Sequence, residues 1–215
     1  DVTVPLVERL AATLDLEEAP KEGEPLPQGW HSVLFPRVVR QSQIGPDGHP
    51  KRGDFLPPVP LPRRMFAGRR VTFHDGLRVG DRARKESEIA AVNIKEGRTG
   101  KMVFVTVRHS IYSPRALALV EEQDIVYREE PDPNAPKPAP TPAPRTAPWT
   151  RTFLPEPVVL FRYSALTFNG HRINYDYPYV TQVEGYPGLV MNGGLTTLLA
   201  SELARTRSGR PLKSM

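Results

Sequence analysis

Near the start of the chain, apolar residues recur at the spacing of one face of an α-helix: Leu6, Val7, Leu10 and Leu14. This period predicts a helix over residues 4–16. Residues 17–62 are rich in proline and glycine, which interrupt regular structure, so this stretch is predicted to be irregular. Its large apolar residues, Trp30 and Phe35, are predicted to anchor it to a core.

Four strands are predicted from the pattern that follows: residues 69–73, 81–95, 102–111 and 117–127. Residues 96–100, Glu-Gly-Arg-Thr-Gly, predict a turn. Both alternating sets of residues 102–111 are largely apolar, which predicts a strand buried on both faces. Together with the early helix, these strands predict an antiparallel meander and an α+β fold class.

Proline occupies nearly every second position of residues 131–144. Proline fixes φ and removes a backbone donor, so this segment is predicted to be an extended spacer. It divides the chain into an N-terminal unit of residues 1–130, a linker of residues 131–148 and a C-terminal unit of residues 149–215. Pro-x-x-Pro matches within it leave recognition by a proline-binding module as an alternative.

In the C-terminal unit, residues 158–166 predict a strand or a short helix. Residues 194–205 predict an amphipathic helix, since four leucines fall on one face: Leu195, Leu198, Leu199 and Leu203. Residues 208–211, Ser-Gly-Arg-Pro, predict its end.

The chain has 215 residues, a formal net charge of +5 and a pI near 9.6. Its basic residues are scattered, which favours a generic basic surface, with a small phosphorylated ligand as the alternative, and argues against nucleic acid. It has no cysteine, which excludes a disulfide framework and a thiolate nucleophile. Neither a signal peptide nor the run of about 20 apolar residues that spans a bilayer is found. We therefore expect a soluble protein of the cytoplasm or of an organelle matrix, without a membrane partner.

Polar side chains precede the last predicted helix closely enough to form a site. Gly193 and Gly194 stand where backbone N–H groups have no partner within the helix, which suits them to an oxyanion. Asn169, His171 and Asn174 come shortly before and are able to hold a water molecule, and His171 is able to move a proton near pH 7. The alternative from the residues alone is a simple turn and a structural histidine.

Residues 163–176, Tyr-Ser-Ala-Leu-Thr-Phe-Asn-Gly-His-Arg-Ile-Asn-Tyr-Asp, resemble the hydratase motif of the MaoC-like hot-dog enzymes. These are R-specific enoyl-CoA hydratases and 3-hydroxyacyl-thioester dehydratases. The similarity is to the branch of 3-methylfumaryl-CoA (mesaconyl-CoA) hydratases and mitochondrial 3-hydroxyacyl-thioester dehydratases. Further segments also match, so the resemblance extends over nearly the whole chain: residues 29–31, 45–53, 56–65, 120–129 and 183–190.

The resemblance implies a double hot-dog fold, in which each of two repeats wraps an antiparallel sheet around a central helix. It implies a hydro-lyase that adds water to, or removes it from, a short branched or dicarboxylic enoyl-CoA such as 3-methylfumaryl-CoA. CoA is then part of the substrate, and we expect no other cofactor and no metal. By analogy with other hot-dog proteins, we expect a homodimer.

The resemblance also implies roles for particular residues. Gly193 is the expected oxyanion donor, and Asn169, His171 and Asn174 form the expected water-holding group. Further expected substrate contacts are Tyr175, Asp176, Asn192, Gly194, Arg63 and Arg64. Outside the motif, His31 is predicted to be a packed loop anchor and His49 a turn residue.

Two asparagines depart from the pattern of the branch, which has histidine in place of both Asn174 and Asn192. An asparagine hydrogen-bonds water but does not accept its proton. Loss of the base typically lowers the rate by about 10²–10⁴-fold. His171 is the expected replacement base. The alternative is a catalytically impaired, acyl-CoA-binding or structural relative.

The residues after the linker are too few to complete a hot-dog repeat, so the second repeat is expected to be truncated. Residues 210–215 resemble the approach to its first strand. The leucine face of the last helix is then expected to be exposed, which a soluble monomer rarely tolerates. A partner chain that supplies the missing strands is the alternative to a truncated sequence.

Overall fold

The computed structural model describes residues 1–51, 53, 55–97, 100–130, 142 and 146–215. Within these residues four helices are formed: α1 (Val4–Thr13), α2 (Pro157–Leu166), α3 (Tyr177–Gln182) and α4 (Gly193–Ser208). The same part of the chain forms four strands: β1 (Arg63–Phe73), β2 (Arg84–Gly97), β3 (Gly100–Tyr112) and β4 (Leu117–Arg128). Short 3-10 turns cover Trp30–Val33, Gln41–Gln43 and Arg172–Asn174. Most of the predicted linker lies outside the described residues, so the division of the chain at 131–148 stays a prediction.

The first helix is confirmed but ends at Thr13, three positions before the predicted end. Asp15 has a φ of 58°, in the left-handed region, which stops the helix there. The irregular stretch after it is anchored as predicted, since Trp30 is fully buried and Phe35 packs against the same core.

The four strands form one antiparallel sheet in the order β1-β4-β3-β2. The predicted meander therefore holds for β2, β3 and β4 but is wrong for β1, which pairs with the far side of β4. Residues 74–83 make the crossing from one side of the sheet to the other, and Leu77 and Val79 in this segment are buried.

The prediction that β3 is buried on both faces is wrong. Val103, Val105 and Val107 are buried, whereas the opposite face is half-exposed. That outer face carries a charged ladder, in which Arg108 pairs with Glu122 at 2.9 Å and Arg70 pairs with Asp124. A sheet with one solvated face is usual for antiparallel strands.

The leucine face of α4 is covered, so the expectation that it would be exposed is wrong. Leu195 and Leu198 are fully buried in one core with Trp30 and with residues of α1 and α2. The indole N–H of Trp30 also donates to Glu202 on α4 at 2.9 Å. The irregular stretch before β1 thus provides the cover that the sequence did not predict.

Residues 213–215 pair with the outer edge of β1. The N–H of Val71 donates to the carbonyl of Met215 at 2.9 Å, and Met215 returns a hydrogen bond to Val71 at 3.0 Å. The N–H of Phe73 donates to Lys213 at 3.0 Å. The segment after α4 therefore extends the sheet, as expected of the approach to a strand.

None of the helices in the described part of the chain is both long enough and apolar enough to cross a membrane.

Candidate active site

The motif loop follows α2 and is held by its own asparagines. Phe168 turns the chain with a φ of 51°. The side-chain oxygen of Asn169 accepts a hydrogen bond from the His171 N–H at 3.2 Å, and its amide donates to Asn174 at 3.1 Å. These hydrogen bonds thus hold the loop that carries His171 in one conformation.

Asn174 joins the motif loop to the segment before α4. It is 3% exposed, and its side-chain amide donates to the carbonyl of Val190 at 2.7 Å. A backbone hydrogen bond from Val190 to Ile173 at 2.9 Å reinforces this contact. Because the Asn174 amide has protein partners on both its oxygen and its nitrogen, its main effect is to position the start of α4 against the motif.

Asn192 caps α4. Its side-chain oxygen accepts a hydrogen bond from the Gly194 N–H at 2.8 Å, as N-cap residues commonly do. Gly193 is exposed, and among the described residues no acceptor is found for its N–H. Of the two glycine N–H groups, that of Gly193 is therefore the one available to a ligand.

A turn from the first half of the chain docks on the motif. We call residues 45–49 the docking turn. The N–H of Arg172 donates to the carbonyl of Asp47 at 2.9 Å, and the Arg172 guanidinium donates to Pro46 at 3.1 Å. Gly48, with a φ of 87°, lies so close to Gly170 that a Cβ there would overlap the Gly170 carbonyl. The contact therefore requires glycine at position 48.

The docking turn brings a second histidine to the motif. The rings of His49 and His171 lie with their centroids 3.8 Å apart. Nδ1 of His49 is 3.1 Å from a carboxylate oxygen of Asp47, whose other oxygen accepts from the His49 N–H at 3.0 Å. Two histidines and a carboxylate thus meet at the end of the motif, where sequence reasoning predicted one histidine and classed His49 as a turn residue.

Burial and like charge act on the pKa of His171. Burial, followed by the neighbouring His49 and Arg64, lowers the pKa of His171 to about 4, against an opposing effect of Asp47. Burial alone would raise the pKa of Asp47, but its hydrogen bonds to His49 and the nearby imidazoles hold it below its ordinary value. At neutral pH, His171 is therefore uncharged and Asp47 is ionised.

A cavity of about 210 Å³ opens beside the docking turn, lined in part by Asp47, His49, Lys51 and Arg64. The two adjacent arginines predicted to bind substrate therefore differ. Arg64 faces this cavity, whereas Arg63 lies 3.7 Å from the exposed Glu130 in an ion pair.

Two other predicted substrate contacts are engaged with the protein. The hydroxyl of Tyr175 donates to the carbonyl of Gly170 at 2.9 Å. Asp176 accepts from the Arg172 guanidinium and caps α3 by accepting from the Tyr179 N–H at 3.1 Å. These backbone and side-chain bonds hold the pKa of Asp176 below its ordinary value. Both side chains thus shape the motif loop, and neither lines the cavity.

The described residues bring together one group of side chains of the types that bind metal ions: Asp47, His49 and His171. One potential ligand atom of each lies within 4.8 Å of the others. Their distance in the sequence hides this cluster from any search for metal-ligand spacing. The expectation that the protein uses no metal stays a prediction.

Comparisons with known proteins show which family the chain resembles. The family model described as hydroxyacyl-thioester dehydratase type 2 matches residues 29–215. The chain is 51% identical over 213 residues to a mesaconyl-C(4)-CoA hydratase of Chloroflexus aurantiacus, a match covering 96% of this chain and 75% of the relative. It is 28% identical over 212 residues to the mitochondrial hydroxyacyl-thioester dehydratase type 2 of Schizosaccharomyces pombe, covering 88% and 69% of the two chains.

A similar fold is found in the crystal structure of HtdX from Mycobacterium tuberculosis. The TM-score is 0.58 at 15% identity, and the match covers 100% of this chain and 78% of HtdX. The predicted α+β, hot-dog fold class is therefore confirmed. The family match and the relative at 51% identity lead to one conclusion: the chain belongs to the hydroxyacyl-thioester dehydratase type 2 family of MaoC-like hot-dog proteins.

Proposed function

We propose that the chain interconverts a short branched or dicarboxylic enoyl-CoA thioester, such as 3-methylfumaryl-CoA, with its hydrated 3-hydroxyacyl form. As a member of its family, the chain is an enzyme of the hydro-lyase type. The relative at 51% identity is named for a mesaconyl thioester, which supports a dicarboxylic acyl group. CoA is part of this substrate, and we expect no further cofactor.

The observation that carries the proposal is the Asn174 bridge, which joins the motif loop with its His171–His49–Asp47 cluster to the segment that leads to a free N–H at the start of α4. During hydration, negative charge moves onto the thioester oxygen. The Gly193 N–H, at the positive end of the helix dipole, is suited to stabilise that charge. Asn192 occupies the neighbouring Gly194 N–H, so Gly193 is the proposed donor.

We assign the base to His49 rather than to Asn174 or His171. Asn174 does not accept a proton, and a pKa of about 4 makes His171 a weak base at neutral pH. His49 has the ionised Asp47 at 3.1 Å from Nδ1, an arrangement that orients an imidazole. This leaves Nε2 of His49 to take the proton.

The proposed reaction begins with a water molecule held by Asn169 and His49. Its oxygen bonds to the β-carbon of the enoyl group while His49 takes its proton, and the double-bond electrons move onto the thioester oxygen at Gly193. The resulting enolate then collapses, and its α-carbon takes the proton back from His49. Dehydration follows the same steps in reverse.

Arg64 and Lys51 are the proposed partners of the CoA phosphates. Both line the cavity beside His49; Nζ of Lys51 donates to the Ser42 carbonyl at 3.0 Å, and neither side chain has an ion pair among the described residues. Arginine and lysine are the side chains that most often bind phosphate groups. The nucleotide end of CoA would then lie along the first half of the chain.

We also propose that two copies associate. β2 is an edge strand of the described sheet, and its Val92 and Ile94 are 49% and 67% exposed. Exposed apolar edges pair readily with other chains. Analytical ultracentrifugation is expected to find a dimer, and a monomer at all concentrations would contradict this proposal.

The alternative is a relative that binds acyl-CoA without turning it over. The observation that favours it is Asn174, which is buried and hydrogen-bonded through both its side-chain oxygen and its side-chain nitrogen. At this position an asparagine replaces the histidine that is the expected base of the branch. The test follows enoyl-thioester absorbance of 3-methylfumaryl-CoA with the native chain, Asn174→His and His171→Ala. Turnover by the native chain supports the enzyme, and retained turnover in His171→Ala supports His49 as the base. No native turnover, together with turnover by Asn174→His, would establish the alternative.

A further inference from the structure

A second cavity, of about 160 Å³, lies on the inner face of the sheet and takes no part in the proposed proton transfers. It lies between the 3-10 turn Trp30–Val33 and the strands. Its polar lining includes His31, Ser32, Arg69, Lys85, His109 and Glu121. A group of charged residues on the inward face of a sheet is costly unless the charges are compensated.

An ionised, buried carboxylate organises this lining, which we call the inner polar cluster. Glu121 is 7% exposed and lies 3.1 Å from Nε2 of His31 and 3.2 Å from Nε of Arg69. Burial alone would raise the pKa of Glu121, but His31, Arg69 and His109 hold it below its ordinary value. Glu121 is therefore a fixed negative charge that positions Arg69.

The cations of the cluster exceed its one carboxylate. Lys85 adds a second full positive charge, with its ammonium 5.1 Å from the centroid of the Phe35 ring. Partial burial lowers the pKa of Lys85, against an opposing effect of Glu121. The positive charges of the cluster thus exceed its negative charge, and a further anion would compensate Lys85.

A buried hydroxyl without a partner faces the same cavity. The hydroxyl oxygen of Ser32 is buried without a hydrogen bond in the described part of the chain, whereas Nε of Arg69 is engaged at 3.2 Å in its ion pair with Glu121. Buried polar groups in proteins are nearly always hydrogen-bonded, so the Ser32 hydroxyl points to a ligand.

Two aromatic side chains connect this cavity to the start of α4. A Cβ at Gly193 would lie 3.8 Å from the Phe66 ring, and the Arg69 guanidinium lies 5.7 Å from the centroid of that ring. A Cβ at Gly194 would lie 2.8 Å from the Tyr163 hydroxyl. Burial raises the pKa of Tyr163, against opposing effects of Ser32 and Arg69. The inner polar cluster is therefore about one side chain away from the proposed oxyanion donor.

We propose that the inner polar cluster binds the free carboxylate of a dicarboxylic acyl group whose thioester oxygen lies at Gly193. Lys85, Arg69 and Ser32 are the donors, and Glu121 and His31 position Arg69. This inference rests on the proposed function and selects among its substrates. A monocarboxylic acyl group would leave the cations without their anion, and sites built for a polar group reject analogues that lack it.

The test compares 3-methylfumaryl-CoA with 3-methylcrotonyl-CoA, in which a methyl group replaces the free carboxylate. Binding is measured by isothermal titration calorimetry and turnover by absorbance, with the native chain and Lys85→Met. The native chain is expected to prefer the dicarboxylic thioester. Lys85→Met is expected to lose about 10- to 100-fold in affinity for it, the size of one charge-assisted hydrogen bond, and to bind 3-methylcrotonyl-CoA unchanged.

Lys95→Met is the matched control. Lys95 lies on the same strand, and its ammonium is 5.1 Å from the centroid of the Phe104 ring, the same arrangement as Lys85 over Phe35. Lys95→Met is expected to bind and turn over both thioesters as the native chain does. Ser32→Ala, which leaves every ion pair in place, is expected to weaken dicarboxylic binding by about tenfold.

The outcomes separate this inference from the proposed function. Selective binding without turnover would remove the enzyme proposal and keep the carboxylate site. Turnover of both thioesters with equal kcat/KM would keep the enzyme and overturn the site. Equal affinities for the two thioesters, or no binding of either, would also overturn the carboxylate site. The same holds if neither Lys85→Met nor Ser32→Ala loses affinity for the dicarboxylic thioester.

Discussion

The imidazole rings of His49 and His171 lie 3.8 Å apart between centroids, although one comes from a proline- and glycine-rich turn and the other from the motif loop. The contact depends on Gly48, which lets the docking turn approach Gly170. Half of the candidate site is thus provided by a turn that precedes the sheet.

The stability of the fold should depend on pH through His171. Its folded pKa of about 4 lies below the ordinary value of 6.5, so the unfolded chain binds more protons between these values. The contribution is fully present above pH 6.5 and is lost as pH falls through about 4. Urea unfolding from pH 7 to 4.5 is expected to show a smaller loss of stability in His171→Gln than in the native chain. Equal losses would contradict the assigned pKa.

The cap of α4 should contribute measurably to stability. Asn192→Ala removes the acceptor for the Gly194 N–H and is expected to cost about 1 kcal/mol in free energy of unfolding. Asn192→Ser keeps a capping oxygen and is the control, with a loss well below that of alanine. A denaturant titration that finds both variants as stable as the native chain would show that the cap is not formed.

Adjacent arginines should differ in their effect on CoA binding. Arg64 lines the cavity, whereas Arg63 pairs with an exposed glutamate. Arg64→Ala is expected to raise KM for the CoA thioester about tenfold, the effect of one charge-assisted contact, and Arg63→Ala to leave it nearly unchanged. The difference should vanish with a pantetheine thioester, which lacks the nucleotide phosphates. Equal effects of the two substitutions would refute the assigned phosphate contact.

Activity should not depend on a metal, although Asp47, His49 and His171 are close enough to hold one. Dialysis against EDTA is expected to leave kcat unchanged, because the proposed base, His49 oriented by Asp47, needs no ion. Added Zn²⁺ is expected to inhibit by occupying that cluster, and the inhibition should be absent at the same concentration with an Asp47→Asn variant. Activity that is lost in EDTA and restored by Zn²⁺ would reverse the assignment.

Local patterns in the sequence predicted most of the elements but not their long-range pairing. α4 was predicted within a few residues because its leucines share one face and glycines open it. β1 begins at Arg63, six positions before the predicted start, since its first residues show no alternation that marks a strand. The order of the sheet depends on where residues 74–83 cross, which no local pattern reports.

The candidate site divides in the same way. The motif residues lie together because a short loop connects them, so the location of the site was predictable. Asn192 as a helix cap was also predictable, since asparagine before a glycine-opened helix is a preferred N-cap. The docking of His49 was not, because it depends on backbone contacts between Asp47 and Arg172 across the two halves of the chain.

Turnover of 3-methylfumaryl-CoA by His49→Gln tests most directly whether His49 is the base. His74→Gln, which changes an exposed histidine outside the site, serves as the control. We expect kcat of His49→Gln to fall by about 10²–10⁴-fold and that of His74→Gln to be unchanged, and we expect Asn174→His to restore part of the activity in the His49→Gln background. Native kcat in His49→Gln would contradict the assignment of His49 as the base.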